Sequence, residues 1–305
     1  MKNFLGLFFV LILTSNSFAQ DIIIKDIDII AMTSNTLIKQ QSVLIQKGKI
    51  TKIGNFKELS NSKQTTILEG KGKFLMPGLA DMHVHLPEAD KIEELLLSNI
   101  AAGVTQIRIM NSKTPQKELR EKLQNNPNVI SPTIHFSHFI RRNETFTAAQ
   151  ADSLMFQIKK SPNDFIKLLS LSDEQTFDNL SQSAMKYMVT FCGHYPAYQS
   201  NNKSVLVDFE KVIKSNFKSI EHLGGYTGLQ NKEQLNQAIQ LTKEYKIFNC
   251  PTLDWDIMAN DLQYPDAYKN RLTYQFLPSK FIQKWEDDYK VAINKAGGPE
   301  KVIES

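Results

Sequence analysis

His83 and His85 lie two residues apart in the stretch "KFLMPGLADMHVHLPE", residues 73 to 88, and Asp81 lies two before the first. Side chains of a strand alternate between faces with period two, so these three polar groups share one face and Met82 and Val84 share the other. Pro77-Gly78 is a turn signal that launches the strand, and Pro87 stops it. A lone histidine is most often a satisfied structural residue. Two on one face of a short apolar strand suit a metal ion, because imidazole is the commonest protein metal ligand.

Such a strand needs a frame. From Lys91 onward the chain alternates helix-like and strand-like segments. "KIEELLLSNIAAG", "TPQKELREKLQNN", "TAAQADSLMFQIKK", "DEQTFDNLSQSAMKY", "SVLVDFEKVIKSN" and "KEQLNQAIQLTKEYK" read as helices. Between them "VTQIRIM", "SPTIHFSHFI", "DFIKLLSL", "MVTFCGHY", "FKSIEHLGG" and "IFNCPTL" read as strands, and a last helix covers roughly residues 279–296. Strict alternation argues a parallel sheet with crossover helices. Counting the His83 strand gives seven strands, so the expected α/β fold is a TIM-like (β/α)8 barrel lacking its eighth strand. A doubly wound open sheet is the competing architecture, but no glycine-rich fingerprint follows any strand.

In a barrel, active-site groups stand at the carboxyl ends of the strands. His83 and His85 end the first, His194 the fifth in "TFCGHYP" and His222 the sixth in "SIEHLGG". Lys167 lies in the fourth, in "FIKLL", an apolar setting unusual for lysine. The bland reading of Lys167 is a strand-end side chain snorkelling to solvent. Four histidines and this lysine would meet at one mouth. His135 and His138 on the third strand have no partner at ligand spacing and read as structural, with His138 a lesser candidate for substrate contact. Tyr195 and Tyr226 follow ligand strands, but aromatics there more often pack than bind.

The chain resembles the metal-dependent amidohydrolase superfamily, in its imidazolonepropionase-like and Xaa-Pro dipeptidase-like branch. The resemblance rests on "PGLADMHVH", "GVTQIRIM", "DFIKLL", "GHYP", "IEHLGGY" and "CPTLDW", in that order, over residues 21–296. It implies a hydrolase of C–N bonds in an amide, cyclic amide or dipeptide. It further implies two divalent metal ions, most simply Zn2+. His83 and His85 would hold one, His194 and His222 the other, and a CO2-derived carbamate on Lys167 would bridge them. Two nearby dications disfavour an ammonium, so such a lysine becomes neutral and able to capture CO2.

The sequence departs from the family in one respect. The family carries an aspartate at the end of the eighth strand, as metal ligand and proton acceptor; the chain ends "KAGGPEKVIES" before any such strand. Asp254 and Asp256 follow the seventh strand, in the wrong place for that base, so the catalytic base is unassigned and the chain is expected to be part of a longer protein. A single-metal deaminase of the same superfamily, without a bridging lysine, and a non-catalytic exported binding protein are the alternatives.

Residues 1–19, "MKNFLGLFFVLILTSNSFA", have a positive start, an apolar core too short to span a membrane and a Ser-Phe-Ala cleavage site. They read as a signal peptide, which implies a periplasmic or secreted protein. Residues 20–75 are β-branched and punctuated by Gly and Asn, as in the first part of a small β-sandwich domain, and residues 76–305 form the hydrolase domain. The formal charge of +4 (+4 − 1 = +3 without Lys2) and the lack of a basic stripe with interleaved aromatics argue against nucleic acid. A small-molecule or dipeptide substrate is the expected partner. Cys192 and Cys250 lie in apolar strands and either pair or remain buried thiols.

Overall fold

The computed structural model describes residues 20–59, 65–87, 89–112, 116–124, 126, 129–161, 163–253, 269–270, 274–275 and 279–298. The expected signal peptide, Asp254 and Asp256 lie outside the described residues. The chain divides into two compact units, Met1–Leu79 and Ala80–Ser305.

The first unit holds β1 (Ile22–Ile29), β2 (Ile38–Gln46), β3 (Lys49–Gly54), β4 (Thr66–Glu69) and β5 (Phe74–Leu75). They form one sheet in the order β3-β2-β1-β4, with β5 also on β1. Lys47 and Gly48, at φ 51° and 74°, make the tight turn between β2 and β3. Positive φ at both central residues matches the twist of the strands they join. Ile23, Leu44 and Leu59 form one buried cluster, and Ile27, Ile29 and Val43 another.

The second unit runs β6 (Leu79–Leu86), α1 (Ile92–Ala101), β7 (Val104–Ser112), α2 (Gln116–Gln124), β8 (Thr133–His135), β9 (Ser137–Ile140), α3 (Ala148–Lys160), β10 (Phe165–Leu168), α4 (Glu174–Tyr187) and β11 (Phe191–Gly193). There follow β12 (Ala197–Ser200), β13 (Lys203–Leu206), α5 (Phe209–Ile213), β14 (Phe217–Glu221), α6 (Lys232–Glu244), β15 (Phe248–Cys250) and α7 (Ser279–Ala296). The alternation read from the sequence yields an α/β fold, with no closed barrel among the described residues. The described strands form a five-stranded sheet, β15-β14-β11-β10-β9, and a three-stranded one, β6-β7-β8. All the registered pairs within these two sheets are parallel.

Two local readings differ. The expected third strand is broken at Phe136, whose amide bonds to Asp164 Oδ2 at 2.9 Å instead of extending a ladder, so β8 and β9 belong to different sheets. The expected helix at residues 204–216 begins only at Phe209, after Asp208 caps it. Residues 203–206 instead pair with 197–200 across Asn201-Asn202, both at positive φ. Asparagine tolerates that conformation, and β-branched Val205 favours the strand.

The alternation of strand side chains builds the core and the site together. On β10, Ile166 and Leu168 join α3 and α4 residues such as Met155, Phe177 and Leu180 in the largest buried cluster. Phe165 packs with Met110 and Cys192 on the opposite face, which is also the face of Lys167. On β6, Val84 and Leu86 bury against Leu96 and Ile107 and leave the histidine face for the site. Side-chain caps at Thr147, Asp173 and Asn231 start α3, α4 and α6. Each such cap stabilises by about 1 kcal/mol.

Candidate metal centre

The four histidines and the lysine singled out by the sequence line one cavity of about 690 Å³, together with Asp81. They stand at or just beyond the carboxyl ends of β6, β10, β11 and β14. The imidazoles form a row. Ring centroids are 5.2 Å apart for His85 and His83, 4.8 Å for His83 and His222, and 4.7 Å for His222 and His194. The Nε2 atoms of His83 and His85 approach to 3.2 Å, the separation of two ligands on one small ion.

Hydrogen bonds fix the tautomers. His83 Nδ1 lies 2.7 Å from Glu221 Oε2. A carboxylate only accepts, so Nδ1 carries the proton and the neutral ring keeps its lone pair on Nε2. His222 Nδ1 lies 2.6 Å from Thr252 Oγ1, whose own proton goes to the Pro251 carbonyl at 2.7 Å. The hydroxyl therefore accepts, and the His222 lone pair is likewise on Nε2. Lys167 Nζ donates to His194 Nδ1 at 3.2 Å, so Nδ1 carries that ring's lone pair. Burial first, and the neighbouring cations second, depress the pKa of His85 to about 4 and of His194 to about 3.

Lys167 is 1% exposed. Burial lowers its pKa to about 8, against a partly compensating pull from Glu221. About a tenth of the side chain is then neutral at pH 7. Its amine meets the His194 imidazole and not solvent, so the snorkelling reading does not hold.

The backbone around His222 is strained to bring its ring inward. His222 and Leu223 have φ of 58° and 53°, a conformation that costs on the order of 1–3 kcal/mol in residues other than glycine. The His222 amide is anchored on the Cys250 carbonyl at 3.0 Å. Gly225 then passes against Tyr195: a Cβ there would lie 2.3 Å from the Tyr195 ring, and φ is +84°. The two tyrosines are packing residues. Tyr195 donates to the Val207 carbonyl at 2.7 Å and stacks on Phe209, and Tyr226 bonds Thr242. His138 pairs with Ile166 in register and so faces away from Lys167; it does not line the cavity. His135 sits beside Gln106 and Asp164, outside the cavity.

Two further residues escaped the sequence reading. Glu221 is fully buried beneath His83, and Arg108 Nη2 bonds its Oε1 at 2.7 Å. Ser219 also donates to Oε1, at 2.6 Å. Arg108 Nε reaches the Met82 carbonyl at 2.8 Å, so one guanidinium ties β6 to β14. Burial pushes the Glu221 pKa up, but the His83 bond, the Arg108 charge and the Ser219 bond outweigh it and hold it below the ordinary glutamate value. A charge inside each of the apolar runs "TQIRIM" and "KSIEHL" was the available signal, the same one that marked Lys167.

A different ligand set has to be weighed, since donor atoms of His83, Glu221 and Cys250 all lie within 4.8 Å of one another. Glu221 already has both oxygens engaged, by His83, Arg108 and Ser219. Burial raises the Cys250 thiol to about 11, which disfavours the thiolate a metal needs. Glu221 is therefore the orienting group behind a ligand, an arrangement worth about 10–100-fold in metal affinity. Glu221→Gln is expected to weaken zinc binding by about that factor while the chain stays folded. Competition against a chromophoric chelator measures the affinity, and unchanged affinity would show that Glu221 does not orient His83. Cys192 and Cys250 are free thiols. They flank β14 on either side, two strand spacings or about 10 Å apart, beyond the reach of a disulfide.

The donor chemistry fits two divalent cations. His83 and His85 present one pair of nitrogens, His194 and His222 a second, and Lys167 lies beside His194.

No family model matches the chain. A dihydroorotase of Bacillus thuringiensis (strain Al Hakam) is 30% identical over 109 residues, which cover 34% of this chain and 25% of the relative. The chain thus spans about a quarter of the length of the curated relatives it matches. Among solved structures, a Xaa-Pro dipeptidase with bound methionine is 16% identical with a TM-score of 0.56, over 92% of this chain and 77% of that one. An amidohydrolase is 15% identical with a TM-score of 0.57, over 93% and 75%. At these identities the likeness shows the fold, and the motif resemblance to amidohydrolases holds at that level.

Proposed function

We propose that the chain carries the binuclear metal centre of a hydrolase of carbon–nitrogen bonds. The observation that carries this reading is the convergence of four imidazoles and a buried lysine on one cavity at the carboxyl ends of parallel strands. The successive strands then correspond to seven of the eight of a (β/α)8 barrel. His83 and His85 would hold one ion, His194 and His222 the other, and a carboxylated Lys167 would supply anionic oxygen ligands. Bound divalent ions of this kind polarise a carbonyl and lower the pKa of water from 15.7 toward about 7.

The residues of the chain do the rest. Glu221 and Thr252 accept from Nδ1 of His83 and His222, which leaves Nε2 of each ring as the ligand atom. Arg108 keeps Glu221 ionised in a buried site. Met110, Phe139 and Leu169 wall the cavity with apolar surface, which excludes water and strengthens the electrostatics within. A cavity of about 690 Å³ suits a molecule of dipeptide size. The N-terminal charge, apolar core and Ser-Phe-Ala site support export of the chain to the periplasm or beyond.

The test is to assay the purified complete protein, loaded with zinc, against amides, cyclic amides and dipeptides. Hydrolysis that a chelator abolishes and zinc restores is the expected result. Zinc uptake without turnover of any of these substrates would leave a binding protein; no zinc uptake would defeat the reading outright.

A further inference from the structure

We propose that Leu169 and Phe139 form an apolar subsite beside the metal centre, and that the substrate carries a bulky aliphatic or aromatic group next to the bond that is cut. This deepens the hydrolase reading and rests on it. The side chains of β10 divide between two faces: Ile166 and Leu168 enter the largest buried cluster, and Lys167 faces the cavity. Leu169, one residue beyond the end of β10, continues the Lys167 face and lines the same cavity. On β9, Phe139 is the register partner of Lys167, and Ile140 on the other face is core. Strand spacing puts the Phe139 backbone about 4.8 Å to one side of Lys167, and strand rise puts Leu169 about 6.6 Å further along. The His194 amide donates to the Leu168 carbonyl at 3.0 Å, so Leu169 stands next to His194 as well.

Core packing does not account for these two side chains. Both are half-buried, and neither joins any of the apolar clusters among the described residues. Their sequence neighbours Ile140, Leu168 and Leu171 are all fully buried in the main cluster. What Leu169 and Phe139 share is the cavity wall. Apolar surface facing a cavity is stabilised when an apolar ligand covers it, whereas a polar group held there would give up water without gaining a partner. The corner they form stands against Lys167 and His194, so a ligand group that fills it lies close to the reacting amide. The substrate class is then an N-acylated or peptide-linked compound whose acyl chain or amino-acid side chain is leucine-like or phenylalanine-like.

The experiment uses acetohydroxamate, butanohydroxamate and hexanohydroxamate, which share a zinc-chelating head and differ only in methylene groups. Their binding to the zinc-loaded complete protein is measured by calorimetry for the wild type, Leu169→Asn and Phe139→Ala. Each buried methylene tightens binding by about 4-fold, so the wild type is expected to bind the hexanoyl probe roughly 10- to 100-fold more tightly than the acetyl one. Leu169→Asn keeps nearly the same volume and removes the apolar surface, and it should flatten the series at unchanged zinc content. Phe139→Ala should flatten it in the same way, which guards against a folding defect peculiar to one variant. A series that is flat or undetectable in the wild type, or a rise that survives both substitutions, would overturn the proposal. Hydrolysis of Gly-Gly, Leu-Gly and Gly-Leu is followed in parallel. Turnover with a flat hydroxamate series defeats the apolar subsite alone; a rise that depends on Leu169 and Phe139, with no turnover of any amide, defeats the hydrolase reading alone.

Discussion

Replacing His83 or His222 with alanine is expected to lower bound zinc and to reduce amide hydrolysis by at least about a thousandfold, the scale of losing metal-assisted activation of water. His83 presents Nε2 beside the His85 Nε2 at 3.2 Å, with its other nitrogen held by Glu221. Removing the ring leaves His85 as a single nitrogen donor and strips Glu221 of its hydrogen bond. His222 sits between His83 and His194 in the row of rings, so its loss opens the centre of the site. Neither change should unfold the chain, because both rings border the cavity and not the main apolar clusters. Circular dichroism checks that point, and metal analysis with initial rates reads the effect. Wild-type metal content and rate in both variants would sink the site assignment.

Lys167→Ala is expected to lose metal together with rate. The side chain is buried at the centre of β10, between Phe139 and Cys192 on the neighbouring strands, and its amine meets His194 at 3.2 Å. An amine offers the site one nitrogen, held mostly as a cation at neutral pH; a carbamate on that amine offers two anionic oxygens. Truncation also vacates space, so acetate or propionate added at high concentration should restore part of both metal content and rate. Lys167→Arg should not be rescued, since guanidinium stays charged and occupies that space. If Lys167→Ala retains two metals and near-normal rate, the bridge is wrong and a single-metal deaminase becomes the better account.

What the sequence revealed depended on the range of each interaction. The face shared by Asp81, His83 and His85 follows from strand period alone, and His194 and His222 follow from strand ends. Those signals are local, and all of these residues line the cavity. Glu221 and Arg108 act through contacts across 138 and 113 residues, which no local pattern encodes. The orientation of His138 was also hidden. Which face of β9 meets the cavity depends on its register with β10, and the break at Phe136 depends on Asp164, 28 residues away. Residues 203–206 misled because Val205 and Leu206 run into the apolar spacing of a true helix, while the Asn-Asn turn that makes them a hairpin precedes them. The cysteines could not be judged before strand order was known, since β14 between them is what keeps them apart.

The most direct test of the binuclear centre is an anomalous-difference map of zinc-loaded crystals of the full chain, collected at the zinc edge. Two peaks are expected, one at the Nε2 atoms of His83 and His85 and one between His194 Nδ1 and His222 Nε2, with continuous density for a carbamate on Lys167. A single peak among His83, Glu221 and Cys250, or no peak in the cavity, would contradict it.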